Sequence, residues 1–299
     1  MAPRHLALML LICVIWGFNF VAAKVGVREI PPLLFTALRF SILAIALLPF
    51  LKPARGRMRD VVVIALFNGA IHFGLMFIGI AMTAASVVAV VAQLNVPFAT
   101  MLSIFFLGEV VQMRRWVGIA LTIFGVTIVS FDPHVFDALT GVLFAAGAAL
   151  SAAVAAVCMR NLSNVGVFQL QSWTAVITAP LLLGASFLFE SDQAGAIMNA
   201  QPITWAALLF TTIGASLIGH NVYYYLLQRY EVSLIAPLSL LSPLLGVVFG
   251  ILLLGEHVSM RIVLGALTAF IGVGVLAFPS RNKAVATTQR GIGVRVAIS

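Results

Sequence analysis

The chain has 299 residues, of which 62% are hydrophobic and only 9% charged, with a formal net charge of +8. Soluble domains carry charges on about a quarter of their residues, so the composition excludes a soluble globule and indicates a protein whose partner is the lipid bilayer. The basic excess is scattered over loops and forms no basic face interleaved with aromatics, so nucleic acid is not an expected partner.

Ten apolar stretches follow one another: Leu6 to Ala23, Leu33 to Leu51, Val61 to Met82, Ser86 to Leu107, Trp116 to Phe131, Leu139 to Met159, Phe168 to Phe189, Ile203 to Leu227, Leu234 to Leu254 and Ile262 to Phe278. Most have the length, about 17 to 25 residues, that crosses a hydrocarbon core about 30 Å thick. Each is expected to be a helix, because a lone strand in lipid leaves its backbone groups without partners. The alternation of a membrane barrel is absent. The expected fold class is therefore an all-α membrane protein of ten transmembrane helices. Arg4 before an apolar run that ends at Val21-Ala22-Ala23 imitates a signal peptide, but the repeat described next requires this stretch as a span. Cys13 and Cys158 fall within spans, so neither a disulfide framework nor a thiolate metal site is expected.

The bias of basic residues sets an expected orientation. With the N-terminus in the cytoplasm, 13 of the 17 Lys and Arg residues fall inside, Lys24, Arg28 and Arg261 fall outside, and Arg39 lies within the second helix. Both termini are then cytoplasmic, with residues 281–299 as a basic tail.

The two halves repeat one another. "VPFATMLSIFFLGE" near Val96 is echoed by "SPLLGVVFGILLLGE" from Ser242. Glu109 and Glu256, Gly118 and Gly265, Gly125 and Gly272, Ser86 and Ser233, and Ala89 and Ala236 are all 147 residues apart, and Pro97 and Pro243 are 146 apart. Each copy holds five spans, 1–136 and 137–280. An odd number means that the second copy enters the membrane from the opposite side, the architecture of carriers that alternate between inward and outward openings.

With "ALRF" at Ala37 to Phe40, these repeats resemble the EamA-type members of the drug/metabolite transporter superfamily. The wording is nearest to bacterial exporters of cysteine and O-acetylserine. The resemblance implies efflux of small amino-acid metabolites across the inner membrane. One departure is that the second half has no evident counterpart to Trp16 and Arg39, the equivalent stretch reading "ALSAAVAAVCMR".

Polar residues at lipid depth are costly unless they face a cavity or a partner, and so they are the candidates for substrate binding. They are Trp16 and Asn19 in the first helix, Arg39 in the second, Asn68 and His72 in the third, Gln93 and Asn95 in the fourth, and His220, Asn221 and Tyr224 in the eighth. His72 and His220 are 148 residues apart, near-equivalent in the repeat, with Asn68 four residues before one and Tyr224 four after the other. They either hydrogen-bond a zwitterion and titrate during transport, which makes protons the candidate coupling ion, or pair structurally as neutral rings. Arg39 either receives a carboxylate in its fork or bonds helix-end carbonyls. Trp16 with Phe18 and Phe20 either lines the pore or packs. Pro97 and Pro243 are expected to kink the fourth and ninth helices. Gly108-Glu109 and Gly255-Glu256 read as helix ends, with the glutamate capping or opening the next helix.

No Asp or Glu lies mid-membrane, which disfavours lipophilic cations, and no intramembrane basic pair is present to neutralise phosphate. No nucleotide motif or metal-ligand cluster occurs, so no cofactor is expected. The expected function is secondary export of small amino-acid metabolites by alternating access. The alternatives are a multidrug or other metabolite exporter of the same superfamily, a non-transporting structural or sensory membrane protein, and an intramembrane enzyme, which would need converging nucleophile, acid and base groups that the sequence does not offer.

Overall fold

A computed structural model describes residues 1–108, 112–136, 138–160, 162, 164–230 and 232–277. Its main helices are α1 (Pro3–Gly26), α2 (Pro32–Leu47), α3 (Met58–Met82), α4 (Ala85–Phe106), α5 (Met113–Ser130), α6 (Leu139–Arg160), α7 (Val167–Phe189), α8 (Pro202–Leu227), α9 (Pro237–Leu254) and α10 (Met260–Ala277). Among the described residues, nine of these are long and apolar enough to cross a membrane. The tenth, α2, has 16 residues and is about 24 Å long, short of the hydrocarbon thickness. Its helix ends before the expected Leu51 because Pro49 cannot supply the next amide, and the chain passes into a 3-10 turn at Leu48–Phe50.

Proline and glycine punctuate the bundle. Pro3, Pro32 and Pro202 stand at the first helical position of α1, α2 and α8, where the missing N–H has no intrahelical partner anyway. Gly108 and Gly255, the repeat mates, end α4 and α9 in the left-handed conformation, with φ of +63° and +66°.

Helix packing follows a rule of exchange between copies. α1 packs on α9 and α6 on α4; α1 packs on α8 and α6 on α3; α2 pairs with α7 and α5 with α10. Adding five to each helix number maps this set onto itself, as a two-repeat architecture requires. The α5–α10 pair is close because glycines meet: a Cβ at Gly125 would collide with the Ala269 backbone nitrogen, and one at Gly272 would sit 2.5 Å from the Thr122 nitrogen.

Two further irregularities respect the repeat. α3 is π-helical over Ala65–Ile71, just before His72, and α8 is π-helical over Phe210–Gly219, just before His220. α4 becomes 3-10 at Ala92–Leu94, around the carbonyl that Pro97 cannot bond, and α9 is interrupted at Leu240, between Val232–Ser239 and Leu241–Leu254, just before Pro243.

Candidate functional site

A cavity of about 350 Å³ lies between the halves. Its walls come from α1 (Trp16, Asn19, Phe20), α2 (Arg39), α3 (His72, Phe73, Met76, Phe77), α4 (Gln93, Asn95), α8 (Ala215, His220) and α9 (Ser242, Pro243). The volume is at the small end of the usual range for ligand sites, about 300–1,000 Å³. No Asp or Glu lines it.

Arg39 is the cavity's fixed charge. It is 1% exposed, and its Nη2 and Nε donate to Ser216 Oγ at 2.7 and 3.3 Å. Its guanidinium lies over the Phe73 ring at 4.6 Å, with Phe77 at 5.5 Å. Nη1 has no partner, and no carboxylate reaches ion-pair distance of Arg39 among the described residues. A buried cation held by one hydroxyl and the ring faces of Phe73, Phe77 and its chain neighbour Phe40 is under-compensated, and it is positioned to receive an anion. The helix-end carbonyls expected as a structural alternative are not its partners.

Both histidines use Nδ1 on a carbonyl. His72 Nδ1 is 2.9 Å from the Ala148 oxygen on α6, and His220 Nδ1 is 3.1 Å from the Ser216 oxygen on its own helix. His220 is also packed on Trp16, with ring centroids 5.4 Å apart. Because a carbonyl only accepts, each Nδ1 carries the proton.

The π segments account for two further contacts. A bond that spans five residues instead of four exposes carbonyls to side chains from the neighbouring helix. Trp16 Nε1 on α1 donates to the Ala215 oxygen at 3.1 Å, and Ser151 Oγ on α6 donates to the Phe67 oxygen at 2.6 Å. Ser151 is therefore the counterpart of Trp16, 135 residues later rather than 147. The Arg39–Ser216 contact is mirrored by Gly69, 147 residues before Ser216, where a Cβ would run into Thr178 and Thr174 of α7. The mirror site is neutral, so the cavity is charged on one side only.

Of the expected site residues, Trp16, Asn19, Arg39, His72, Gln93 and Asn95, together with His220, meet around this cavity, and Pro243 lines it. Asn68 does not line the main cavity with His72; it lines a smaller cavity of about 60 Å³ with Gln171, Thr174 and Ser216, which His220 also borders. Asn221 borders neither cavity, and its Oδ1 is buried without a partner. The Tyr224 side chain, Glu109 and the tail 281–299 lie outside the described residues. Pro97 is in α4 beyond the 3-10 turn and does not line the cavity. Sequence reasoning missed Ser216, although the spacing of four that tied Tyr224 to His220 ties Ser216 to it equally well.

At the end of the bundle opposite Ala2 and His5, carboxylates cap helices of the other copy. Glu190, after α7, accepts from the Leu33 and Leu34 amides of α2 at 2.7 and 3.0 Å. Glu256, after α9, accepts from the Ala85 and Ser86 amides of α4 at 2.6 and 2.9 Å, so it caps α4 rather than the helix that follows it in sequence. Glu29, after α1, accepts from the Gln201 amide and the Thr204 hydroxyl of α8 at 2.8 and 2.6 Å. The Thr204 and Gln201 bonds hold the Glu29 carboxyl below its ordinary range. At the same end Lys24 donates to the carbonyls of Ile80, Ala81 and Thr83, where α3 terminates. A second cavity, lined by Val96, Ser239, Val273 and Ala277 and sharing Trp16, Gln93, Ser242 and Pro243 with the main one, extends toward the end that holds the N-terminus.

Residues 4–131 and 139–278 each match the EamA-like transporter family. The chain belongs to the EamA-like transporter family. This EamA protein is 30% identical to a probable amino-acid metabolite efflux pump of Escherichia coli, over 95% of this chain and 99% of that one. It is equally similar to the pump of the same name from Salmonella typhimurium, over 93% and 96%. A solved crystal structure with 20% identity superposes on it with a TM-score of 0.61, over 92% of this chain and 96% of that chain, which shows the fold alone. The EamA chain is thus a multi-pass membrane transporter and not an enzyme.

Proposed function

We propose that this chain is a secondary exporter of small amino-acid metabolites, of the cysteine and O-acetylserine class, that works in the inner membrane by alternating access. The observation that carries the proposal is Arg39: a buried cation on the cavity wall with an unpaired Nη1 and no carboxylate partner among the described residues. A carboxylate from the substrate completes it, as bidentate pairing favours. The names of the relatives at 30% identity support the substrate class.

The five-helix repeats 1–136 and 137–280 are the proposed moving halves. Trp16, Asn19, Gln93, Asn95, His72 and His220 surround the substrate beside Arg39, and Asn68, Asn221 and Tyr224 stand further out along α3 and α8. The breaks preceding Pro97 and Pro243 are proposed as the flexing points of α4 and α9. The carboxylate caps support a state closed at the Glu29, Glu190 and Glu256 end, with access from the end holding the N-terminus, proposed to be cytoplasmic. Protons are the proposed coupling ion.

The test is efflux from proteoliposomes preloaded with cysteine, O-acetylserine, other amino acids and lipophilic cations, with and without a proton gradient. Release of cysteine or O-acetylserine is expected, and release of the cations alone would overturn the proposal.

A further inference from the structure

The exporter reading leaves open what receives the positive end of the substrate in a cavity without an acidic residue. The tautomer of His72 supplies an acceptor. Its Nδ1 is committed as a donor to the Ala148 carbonyl at 2.9 Å, so Nε2 holds a lone pair. His72 lines the same cavity as Arg39, and no donor engages Nε2 among the described residues. An α-amino acid carries its ammonium one carbon away from its carboxylate, so a substrate whose carboxylate is on Arg39 presents the ammonium to an acceptor near at hand. His220 is not equivalent, since its ring is tied to its own helix through Ser216 and packed on Trp16.

We infer that His72 Nε2 receives the ammonium group of the substrate and is also the seat of the exchanged proton, so that metabolite and proton occupy it in turn. The inference rests on the exporter reading. One lone pair accepts one donor, and a protonated His72 has donors on both nitrogens and a positive charge facing both the ammonium and Arg39. The titratable and charged groups around the cavity are Arg39 from α2 and His220 from α8. α1, α4 and α9 bring Trp16, Asn19, Gln93, Asn95 and Ser242, and α6 brings Ala149 beside the Ala148 carbonyl, none of them titratable in this range. A proton that binds Nε2 from outside returns the empty carrier and is released inside when a new ammonium takes the lone pair. The ammonium itself keeps its protons. The exchange is one proton in for one metabolite out, the direction that an inward proton gradient drives.

The test uses the full chain in proteoliposomes with labelled cysteine, kept reduced. Counterflow without a gradient reports binding and exchange, and uptake or efflux under an imposed pH gradient reports coupling. His72→Gln keeps an acceptor oxygen but does not titrate, so it is expected to retain counterflow and lose the gradient-driven component; His72→Phe is expected to lose both. The wild type adds a reading independent of variant folding. As the pH is lowered through the range in which both carboxylates stay ionised, acid is expected to suppress counterflow of cysteine but not of 3-mercaptopropionate, which has the carboxylate and no ammonium. Gradient drive surviving in His72→Gln, or equal acid suppression of both compounds, overturns this inference while the exporter reading stands. Absence of cysteine counterflow in the wild type overturns both.

Discussion

Replacing Arg39 by leucine separates a functional arginine from a structural one. In the folded state the guanidinium gains hydrogen bonds to Ser216 Oγ at 2.7 and 3.3 Å and a ring face of Phe73 at 4.6 Å. Bonds from a charged donor contribute about 1.5–3 kcal/mol each when well formed, and a desolvated cation–π contact about 2 kcal/mol. Against this stand an unpartnered Nη1, costing about 1–3 kcal/mol, and a charge at bilayer depth, costing about 2.5–3.5 kcal/mol. The two sides nearly cancel. Ser216 Oγ keeps its own bond to the Thr211 carbonyl at 3.1 Å, so removing the arginine strands no hydroxyl. Arg39→Leu is therefore expected to melt in detergent within a few degrees of the wild type. Transport behaves differently, because the substrate loses a bidentate partner worth about 3 kcal/mol or more, which raises the half-saturation concentration roughly a hundredfold. Thermal melting and counterflow on the same preparation check both halves. A variant that melts far lower, or one that transports normally, refutes the assignment of Arg39 to the substrate carboxylate.

Glu190→Ala and Glu256→Ala each remove a carboxylate that serves two helix-start amides, so each is expected to cost about 1–2 kcal/mol, read as a lower melting temperature. The Glu29 carboxyl is held below its ordinary value of 4.5, so its stabilising contribution is complete above that pH and lost as pH falls through the lowered value. A Glu29→Gln variant is expected to flatten that acid loss in a melting-versus-pH series. Trp16→Phe and Ser151→Ala each abandon a carbonyl of a π segment, and each is expected to destabilise by about 1–3 kcal/mol. Gly125→Val is expected to break the α5–α10 packing and fail to give folded protein in detergent, whereas Gly184→Ala, with open space around its Cβ position, leaves melting unchanged.

Much of this protein was legible in the sequence, because hydropathy over some twenty residues reports transfer into lipid, a local quantity. The helices, the repeat written into Pro97 and Pro243 and into Gly125 and Gly272, and the polar residues that line the cavity were readable on that ground. The tertiary structure decided the rest. The π segments before His72 and His220 depend on which side chains arrive to take the displaced carbonyls, and Ser151 arrives in place of Trp16 at an offset of 135 that a search at 147 passes over. Glu256 looks like the cap of its own next helix in sequence and caps α4 in space. A helix N-terminus attracts whichever carboxylate the packing brings nearest. Arg39 is an ordinary membrane arginine in sequence; only packing gives it Ser216 and two phenylalanine faces in place of a carboxylate. Partners that are distant along the chain are fixed by how helices cross, and that information is spread over all ten of them rather than held in any one stretch.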